Sequence, residues 1–321
     1  MTVDIPAILE QLAQSHRRRG SDAGVATMTI VVFFDNEAIG ELARDRIRML
    51  SSKHPSRVIV LDATAPETAH HIEGGDWIDV GVRGCGPEML RSAVDALRLR
   101  DAPVVLLWIA RDIGSDPRFA ALCDEAATVV YNSSLLDGGH DALRELARHV
   151  ERHPGLEIAD IAYLRLAPWQ ESIALLFDGT ALPELADVRS VEVACGSEPE
   201  ALYLLGWLAS RLDWTPGEGG DLRDRTGHSI AFALERASEP RRIARVVLRS
   251  SRSTFVAELD DGGETIALSV SGPNAREARH RTIQNPGIAA LVERAILWAG
   301  DDRVFRAALG AAGTILARRA R

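Results

Sequence analysis

The chain has 321 residues, of which 46% are hydrophobic and 26% charged, so its composition is that of an ordinary globular protein and excludes disordered and fibrous classes. Its formal net charge of -9 argues against broad binding to nucleic acids or anionic membranes, because both depend on a surplus of basic groups. A single hydrophobic core stops growing above ~250 residues, so a chain of this length is expected to form two domains.

The apolar runs are too short to cross a membrane. Residues 104–110 form one of the longest runs, far below the ~20 residues that a bilayer requires. The N-terminus lacks the charged-then-apolar order and the cleavage site of a signal peptide. These features predict a cytoplasmic protein without a membrane span.

The three cysteines are odd in number and far apart in the sequence. Cys85, Cys123 and Cys195 therefore fit reduced, buried thiols better than a disulfide framework. A redox switch between two of them is the less favoured alternative.

The first half of the chain alternates strand and helix patterns. Continuous apolar runs predict strands at 25–34, 56–62, 77–84, 102–110 and 127–132. Helical spacing of apolar residues predicts helices at 37–50, 87–99, 116–125 and 141–152. This order predicts a doubly wound, mostly parallel α/β domain over residues 1–155, in which 77–83 is an antiparallel or edge strand.

The second half has a different order. A strand at 187–195 and a helix at 199–212 precede four runs with the two-residue period of half-buried strands, at 228–236, 242–250, 253–260 and 265–270. The sequence Asp-Asp-Gly-Gly at 260–263 predicts a hairpin turn between the last two. With helices near 285–298 and 301–319, residues 156–321 are predicted to form an α+β domain with an antiparallel sheet.

A junction helix is predicted at 167–178. Trp169, Ile173, Leu176 and Phe177 share one helical face, Gln170 is placed to cap the start at Ala167, and Gly179 ends the helix.

The residues before this helix mix polar and apolar types. Asp160, Tyr163 and Arg165 would be costly to bury without partners, so a contact between Asp160 and Arg165, or a contact with another protein, is expected.

The helix at 199–212 is apolar on most sides and therefore must be covered on most sides. Gly206 lies in its middle, where glycine costs about 1 kcal/mol relative to alanine. We therefore expect the backbone of another element to approach this glycine closely.

Sequence motifs for catalysis or cofactor binding are not evident. The glycines at 81, 84 and 86 have the wrong order for the dinucleotide fingerprint, and no P-loop, zinc-ligand spacing or nucleophile elbow occurs. The sequence therefore predicts no cofactor, no metal site and no catalytic residues. The alternative is a sugar-phosphate- or nucleotide-binding enzyme or sensor with its ligand near 34–36, 62–64 and 110–112, at the carboxyl ends of predicted strands.

Basic residues cluster near 239–252. Alternation places Arg241, Arg245 and Arg249 on one face of a strand. A solvated sheet face is the preferred interpretation, and a site for an anionic ligand or acidic partner is the alternative.

Three stretches of the sequence resemble the OpcA family, the glucose-6-phosphate dehydrogenase assembly proteins. They are DIAYLRLAPWQESIALLFD at 160–178, GWLASRLDW at 206–214 and HPSRVIVLD at 54–62. Tyr163, Gln170 and Asp213 depart from the family pattern, which has Trp, Arg and Gly at these positions.

The resemblance implies a non-catalytic, cytoplasmic protein that binds glucose-6-phosphate dehydrogenase as an assembly factor and allosteric activator. This role belongs to carbohydrate metabolism, at the entry to the oxidative pentose phosphate pathway. Candidates for protein–protein contact or for junction packing are Asp160, Tyr163, Arg165, Trp169, Trp207, Arg211 and Trp214.

Overall fold

The computed structural model describes residues 3–19, 26–74, 76–113, 116–136, 140–217, 221–237, 243–284, 286–297 and 302–319. The helices, in chain order, are α1 (Ile5–Arg19), α2 (Glu37–Lys53), α3 (Pro87–Leu97), α4 (Pro117–Cys123), α5 (His140–Arg152), α6 (Ile161–Leu164), α7 (Ala167–Leu176), α8 (Leu182–Leu185), α9 (Glu198–Leu212), α10 (Ile288–Leu297) and α11 (Arg303–Arg319).

The strands, in chain order, are β1 (Met28–Phe34), β2 (Ser56–Asp62), β3 (His70–Glu73), β4 (Trp77–Gly81), β5 (Val104–Trp108), β6 (Thr128–Tyr131), β7 (Glu157–Asp160), β8 (Val188–Cys195), β9 (Thr215–Pro216), β10 (Leu222–Arg223), β11 (Ser229–Arg236), β12 (Ile243–Ser250), β13 (Thr254–Leu259), β14 (Thr265–Ser271) and β15 (Arg276–Thr282).

The chain divides into two compact units that are interleaved in sequence. Unit 1 comprises Met1–Asp137, His153–Ile161 and Ile288–Asp301, and unit 2 comprises Gly138–Arg152, Ala162–Gly287 and Asp302–Arg321. Helix α5, which the sequence grouped with the first domain, thus belongs to unit 2, and α10 belongs to unit 1. The domain division at residue 155 stays a prediction.

Unit 1 contains a mostly parallel sheet with strand order β3-β4-β2-β1-β5-β6-β7. The central strands are buried along almost their whole length, which explains their continuous apolar sequences. Helix α3 packs against α1 and α4, while α2 packs against α10, as expected of two helix layers. The predicted doubly wound α/β class is confirmed.

One strand assignment was wrong. Strand β4 pairs in parallel with β2, and the antiparallel edge is β3, a short strand that the sequence did not predict. Alternate residues of β3 are exposed and two of its four residues are histidines, so it lacks the apolar run that marks the other strands.

Unit 2 contains a largely antiparallel sheet with strand order β15-β14-β13-β12-β8-β11-β10-β9. Strand β8 pairs antiparallel with β12 and parallel with β11. Helix α7 packs on β13 and β14, α9 packs on β8, and α11 packs against both α9 and α5. The predicted α+β class is confirmed.

The predicted hairpin turn is also confirmed. The Gly263 N–H donates to the Asp260 carbonyl at 2.9 Å, and Gly263 has a φ of 69°, the left-handed conformation that glycine adopts without strain.

Among the helices described, none is both long enough and apolar enough to cross a membrane.

Candidate functional site

The stretch at 160–178 begins with a residue that ends a strand of unit 1. Asp160 is the last residue of β7 and is almost completely buried. Its carboxylate accepts the backbone N–H of Ser133 at 3.1 Å. Asp160 thus joins β7 to the turn that follows β6, which is a structural role.

Tyr163 belongs to an aromatic cluster in unit 2. Its ring lies 5.6 Å from the ring of Tyr203 on α9 and 4.9 Å from that of Phe305 on α11. Burial raises the pKa of Tyr163 to about 12, so its phenol is neutral at physiological pH. The cluster connects α6 to the packed pair α9 and α11.

Arg165 forms an ion pair with a buried carboxylate. Its guanidinium donates to Glu200 Oε1 at 2.8 Å, and the two side chains are 19% and 3% exposed, respectively. Glu200 lies in the first turn of α9, where the helix dipole favours a negative charge. The partner that the sequence could not identify for Arg165 is therefore Glu200, and Asp160 has a different partner.

Helix α7 carries the predicted apolar face. Trp169, Ile173, Leu176 and Phe177 are all buried, which agrees with that prediction. The helix begins at Ala167, as predicted, but ends two residues before the predicted position 178. The N-cap is Leu166, whose apolar side chain cannot make a capping hydrogen bond, and Phe177 is the C-cap after Leu176.

Helix α9 approaches α11 closely at Gly206, as predicted. A Cβ atom at this position would lie 2.2 Å from the Ala308 carbonyl oxygen and 3.0 Å from the Ala312 nitrogen. Only glycine fits this contact between the two helices.

The end of α9 explains one departure from the family pattern. Asp213 is its C-cap and adopts a left-handed conformation with φ 52°. Glycine takes this conformation freely, whereas aspartate is one of the few other residues that adopt it with modest cost. The Asp213 carboxylate also pairs with Arg225.

The seven candidate partner-binding residues differ in accessibility. Asp160, Tyr163, Trp169 and Trp214 are buried, and Arg165 is held by Glu200. Of the other two, Trp207 is half-buried and Arg211 is exposed, and among the described residues neither is held by an ion pair as Arg165 is. These two lie one helical turn apart on α9, so they can form one contact surface. We call Trp207 and Arg211 the α9 surface pair.

The basic residues of β12 are paired across the sheet. Arg245 lies 3.8 Å from Glu258 on β13, and Arg249 pairs with Glu192 on β8. Arg241, the third member of the predicted set, lies outside the described residues. This pairing favours the solvated-face interpretation over an anion site.

The carboxyl edge of the parallel sheet brings together the three segments of the alternative ligand site. Phe34 and Asp62 are register partners at the ends of β1 and β2, and Phe33 pairs with Trp108 at the end of β5. The side chains there are already committed. The Arg44 guanidinium donates to Asp62 at 2.8 Å and to Asp79 at 2.9 Å.

Both carboxylate oxygens of Asp62 already accept hydrogen bonds from the protein. The oxygen that is not bonded to Arg44 accepts the Thr64 hydroxyl at 2.6 Å and the Thr64 and Ala65 backbone N–H groups. Burial alone would raise the pKa of Asp62, but the hydrogen bonds from Thr64 and Arg44 outweigh it and hold the pKa below its ordinary value. The carboxylate serves to close the turn after β2.

The described residues offer neither a metal site nor a reactive thiol. Within the ranges that the structure describes, no cluster of three or more histidine, cysteine, aspartate or glutamate residues is placed to hold a metal ion. All three cysteines are buried, and burial raises the pKa of each thiol, that of Cys195 to about 11.

The second half of the chain is similar in sequence to known proteins. The family described as the C-terminal domain of a glucose-6-phosphate dehydrogenase subunit matches residues 156–309. The OxPP cycle protein OpcA of Synechocystis sp. is 34% identical over 133 residues, which cover 40% of this chain and 27% of that protein. OpcA of Nostoc punctiforme is 32% identical over 148 residues, which cover 44% of this chain and 30% of that protein. The match thus spans less than a third of either relative.

Solved structures show a similar fold with little sequence identity. A 3-ketoreductase from Actinomadura kijaniata, solved with NADP, has a TM-score of 0.51 at 13% identity, over 91% of this chain and 97% of that chain. An aldose-aldose oxidoreductase from Caulobacter crescentus has a TM-score of 0.50 at 14% identity, over 92% of this chain and 98% of that chain. At such identities the similarity concerns the fold alone. The sequence similarity concerns the second half of the chain, where residues 156–309 match the family model and the chain is similar to OpcA proteins.

Proposed function

We propose that this chain is a non-catalytic partner of glucose-6-phosphate dehydrogenase, which it binds as an assembly factor and allosteric activator in the oxidative pentose phosphate pathway. The observation that carries the proposal is the match of residues 156–309 to a family named for a subunit of glucose-6-phosphate dehydrogenase. The relatives named as OxPP cycle proteins support the same pathway.

The α9 surface pair is the proposed contact with the dehydrogenase. Tryptophan and arginine are the residue types most enriched among those that dominate binding energy at protein interfaces. Trp207 offers a large apolar surface, and Arg211 offers an exposed guanidinium that can reach a partner's carboxylate. The five buried or paired candidates are proposed to stabilise the fold, Asp160 within unit 1 and the other four within unit 2.

Kinetics with the cognate dehydrogenase test this proposal. Adding the purified protein should shift the dehydrogenase's substrate saturation or its oligomer distribution, measured by initial rates and by size-exclusion chromatography with light scattering. Absence of both a complex and a kinetic change would refute the role.

The contact surface needs separate variants. Trp207→Ala should weaken the complex by at least ~2 kcal/mol, about 30-fold in Kd, if the tryptophan anchors the interface. Arg211→Ala should also weaken it, and Arg279→Ala, an exposed arginine on β15, serves as the matched control. Equal affinity of all three variants and the wild type would rule out the α9 surface pair as the contact.

A second candidate function is a sugar-phosphate- or nucleotide-binding enzyme or sensor that uses unit 1. The convergence of Phe34, Asp62 and Trp108 at one sheet edge favours it, because ligands of such sheets bind at the carboxyl ends of the strands. Thermal-shift measurements with sugar phosphates test it, since a ligand at 100 times its Kd adds about 2.7 kcal/mol of stability.

A further inference from the structure

The first β-α-β segment of unit 1 has the layout of a dinucleotide site. Strand β1 lies beside β2 and β5, and the direction in which the chain crosses the sheet reverses between β1 and β5. In open sheets of this kind the pyrophosphate of a dinucleotide lies at the start of the helix that follows β1, against the G-x-G-x-x-G fingerprint.

The loop after β1 keeps the spacing of that fingerprint with two of its glycines replaced. Residues 35–40 read Asp-Asn-Glu-Ala-Ile-Gly, so Asp35, Glu37 and Gly40 take the three glycine positions. The third glycine of the fingerprint allows close helix–strand packing. Gly40 does the same here, since a Cβ atom on it would lie 2.3 Å from the Phe34 ring.

The first glycine of the fingerprint forms the tight turn and the second lets the backbone approach the pyrophosphate, and here both positions carry exposed carboxylates. Glu37 is in the first turn of α2, where it supplies the negative charge that the helix dipole favours and that a bound phosphate would otherwise supply. A phosphate beside two carboxylates is repelled. The Ile39 N–H is also taken, because it donates to the Asn36 side chain at 3.2 Å.

A separate observation concerns the ribose position. Asp62 ends β2, where the fingerprint has its ribose-binding acid. Its oxygens are occupied by Arg44, Thr64 and the Ala65 N–H. The carboxylate at the ribose position is thus already bonded within the protein, and the pyrophosphate position is flanked by the chain's own carboxylates.

We infer that unit 1 has a dinucleotide-type fold whose pyrophosphate position is closed by Asp35 and Glu37, so that the chain binds no nicotinamide dinucleotide there. This inference does not depend on the proposed partner role, because it concerns binding to the protein alone.

Titration with NADH, followed by its fluorescence, tests the inference in three variants and the wild type. The double variant D35G/E37G restores the glycine fingerprint. D35N/E37Q removes both charges while keeping side-chain size and helix propensity, so it tests the charges if the glycine variant fails to fold. E41Q/D45N is the matched control, since it removes two exposed carboxylates from the same helix. Far-UV circular dichroism verifies that each variant is folded.

The expected result is no saturable binding to the wild type or to E41Q/D45N at millimolar NADH, and saturable binding to D35G/E37G with at least a roughly tenfold gain in affinity. Inorganic pyrophosphate should compete with this binding. D35N/E37Q should show a smaller gain. Saturable NADH binding to the wild type would overturn the inference, and so would failure of both charge-removing variants to gain affinity over the control.

Discussion

The contact between Gly206 and α11 yields the sharpest stability prediction. In Gly206→Ala the new Cβ atom would meet the Ala308 carbonyl oxygen at 2.2 Å, and the obstacle is backbone that cannot rotate away. Restoring an ordinary carbon–oxygen contact requires α11 to move by about 1 Å relative to α9. Overpacking of this kind costs typically 1–3 kcal/mol, and the loss outweighs the gain of about 1 kcal/mol in helix propensity because the contact is between two backbones.

The same change at Gly310 provides a matched control. Gly310 lies on the exposed side of α11, and a Cβ atom there would have no neighbour within 4 Å. Gly310→Ala should therefore stabilise by up to about 1 kcal/mol through helix propensity alone.

Urea unfolding and differential scanning calorimetry measure both changes. For a unit of this size, 1 kcal/mol corresponds to a shift in Tm of roughly 2–4 °C. We expect Gly206→Ala to lower Tm and Gly310→Ala to raise or preserve it. A Gly206→Ala protein at least as stable as the wild type would refute the reasoning that close backbone approach determines this position.

Three further predictions concern ionisable groups. Arg165→Met removes the cation paired with the buried carboxylate of Glu200 and should lower the free energy of unfolding by about 3–5 kcal/mol. Breaking the surface pair Asp141–Arg144 should lower it by at most about 1 kcal/mol. Similar losses in the two variants would contradict the argument from burial. The pKa of Asp62 is depressed in the folded state, so its stabilising contribution is complete above its ordinary pKa near 4 and is lost as the pH falls through the folded value. Asp62→Asn should therefore lose stability at pH 7 but show a weaker dependence between pH 5 and pH 3, and an unchanged pH profile would contradict this. The raised thiol pKa values predict that a disulfide reagent at pH 8 reacts with the native protein at least about ten times more slowly than with the urea-unfolded protein. A thiol that reacts equally fast in both states would reveal an accessible thiolate.

The sequence predicted correctly those structural features whose residue pattern lies within a single helix or strand. Apolar runs identified the central strands of unit 1, because those strands are buried on both faces, and helical spacing identified the buried side of α7. The cost of a mid-helix glycine predicted the close contact at Gly206, although it could not name α11 as the partner. Strand β3 escaped detection because half of its residues are exposed.

The features that the sequence did not reveal are mostly long-range. Glu200 is 35 residues from Arg165, and nothing in the local pattern around either residue pairs them. The local sequence also does not predict that α5 belongs to unit 2 and α10 to unit 1. The Asp35–Glu37–Gly40 spacing, by contrast, is present in the sequence. It does not register as a fingerprint because only one of its three positions is glycine.

Burial separates the residues that carry the resemblance to OpcA proteins from those that a partner could contact. Another protein can bind only atoms that reach the surface, and Asp160, Tyr163, Trp169 and Trp214 do not. Their substitution would change the dehydrogenase's kinetics only through loss of the fold. Trp207→Ala removes a half-buried side chain and should lower the free energy of unfolding less than Arg165→Met does, while weakening the proposed complex more. If Arg165→Met instead weakens the complex at full stability, the contact surface extends to the start of α9, where its partner Glu200 lies.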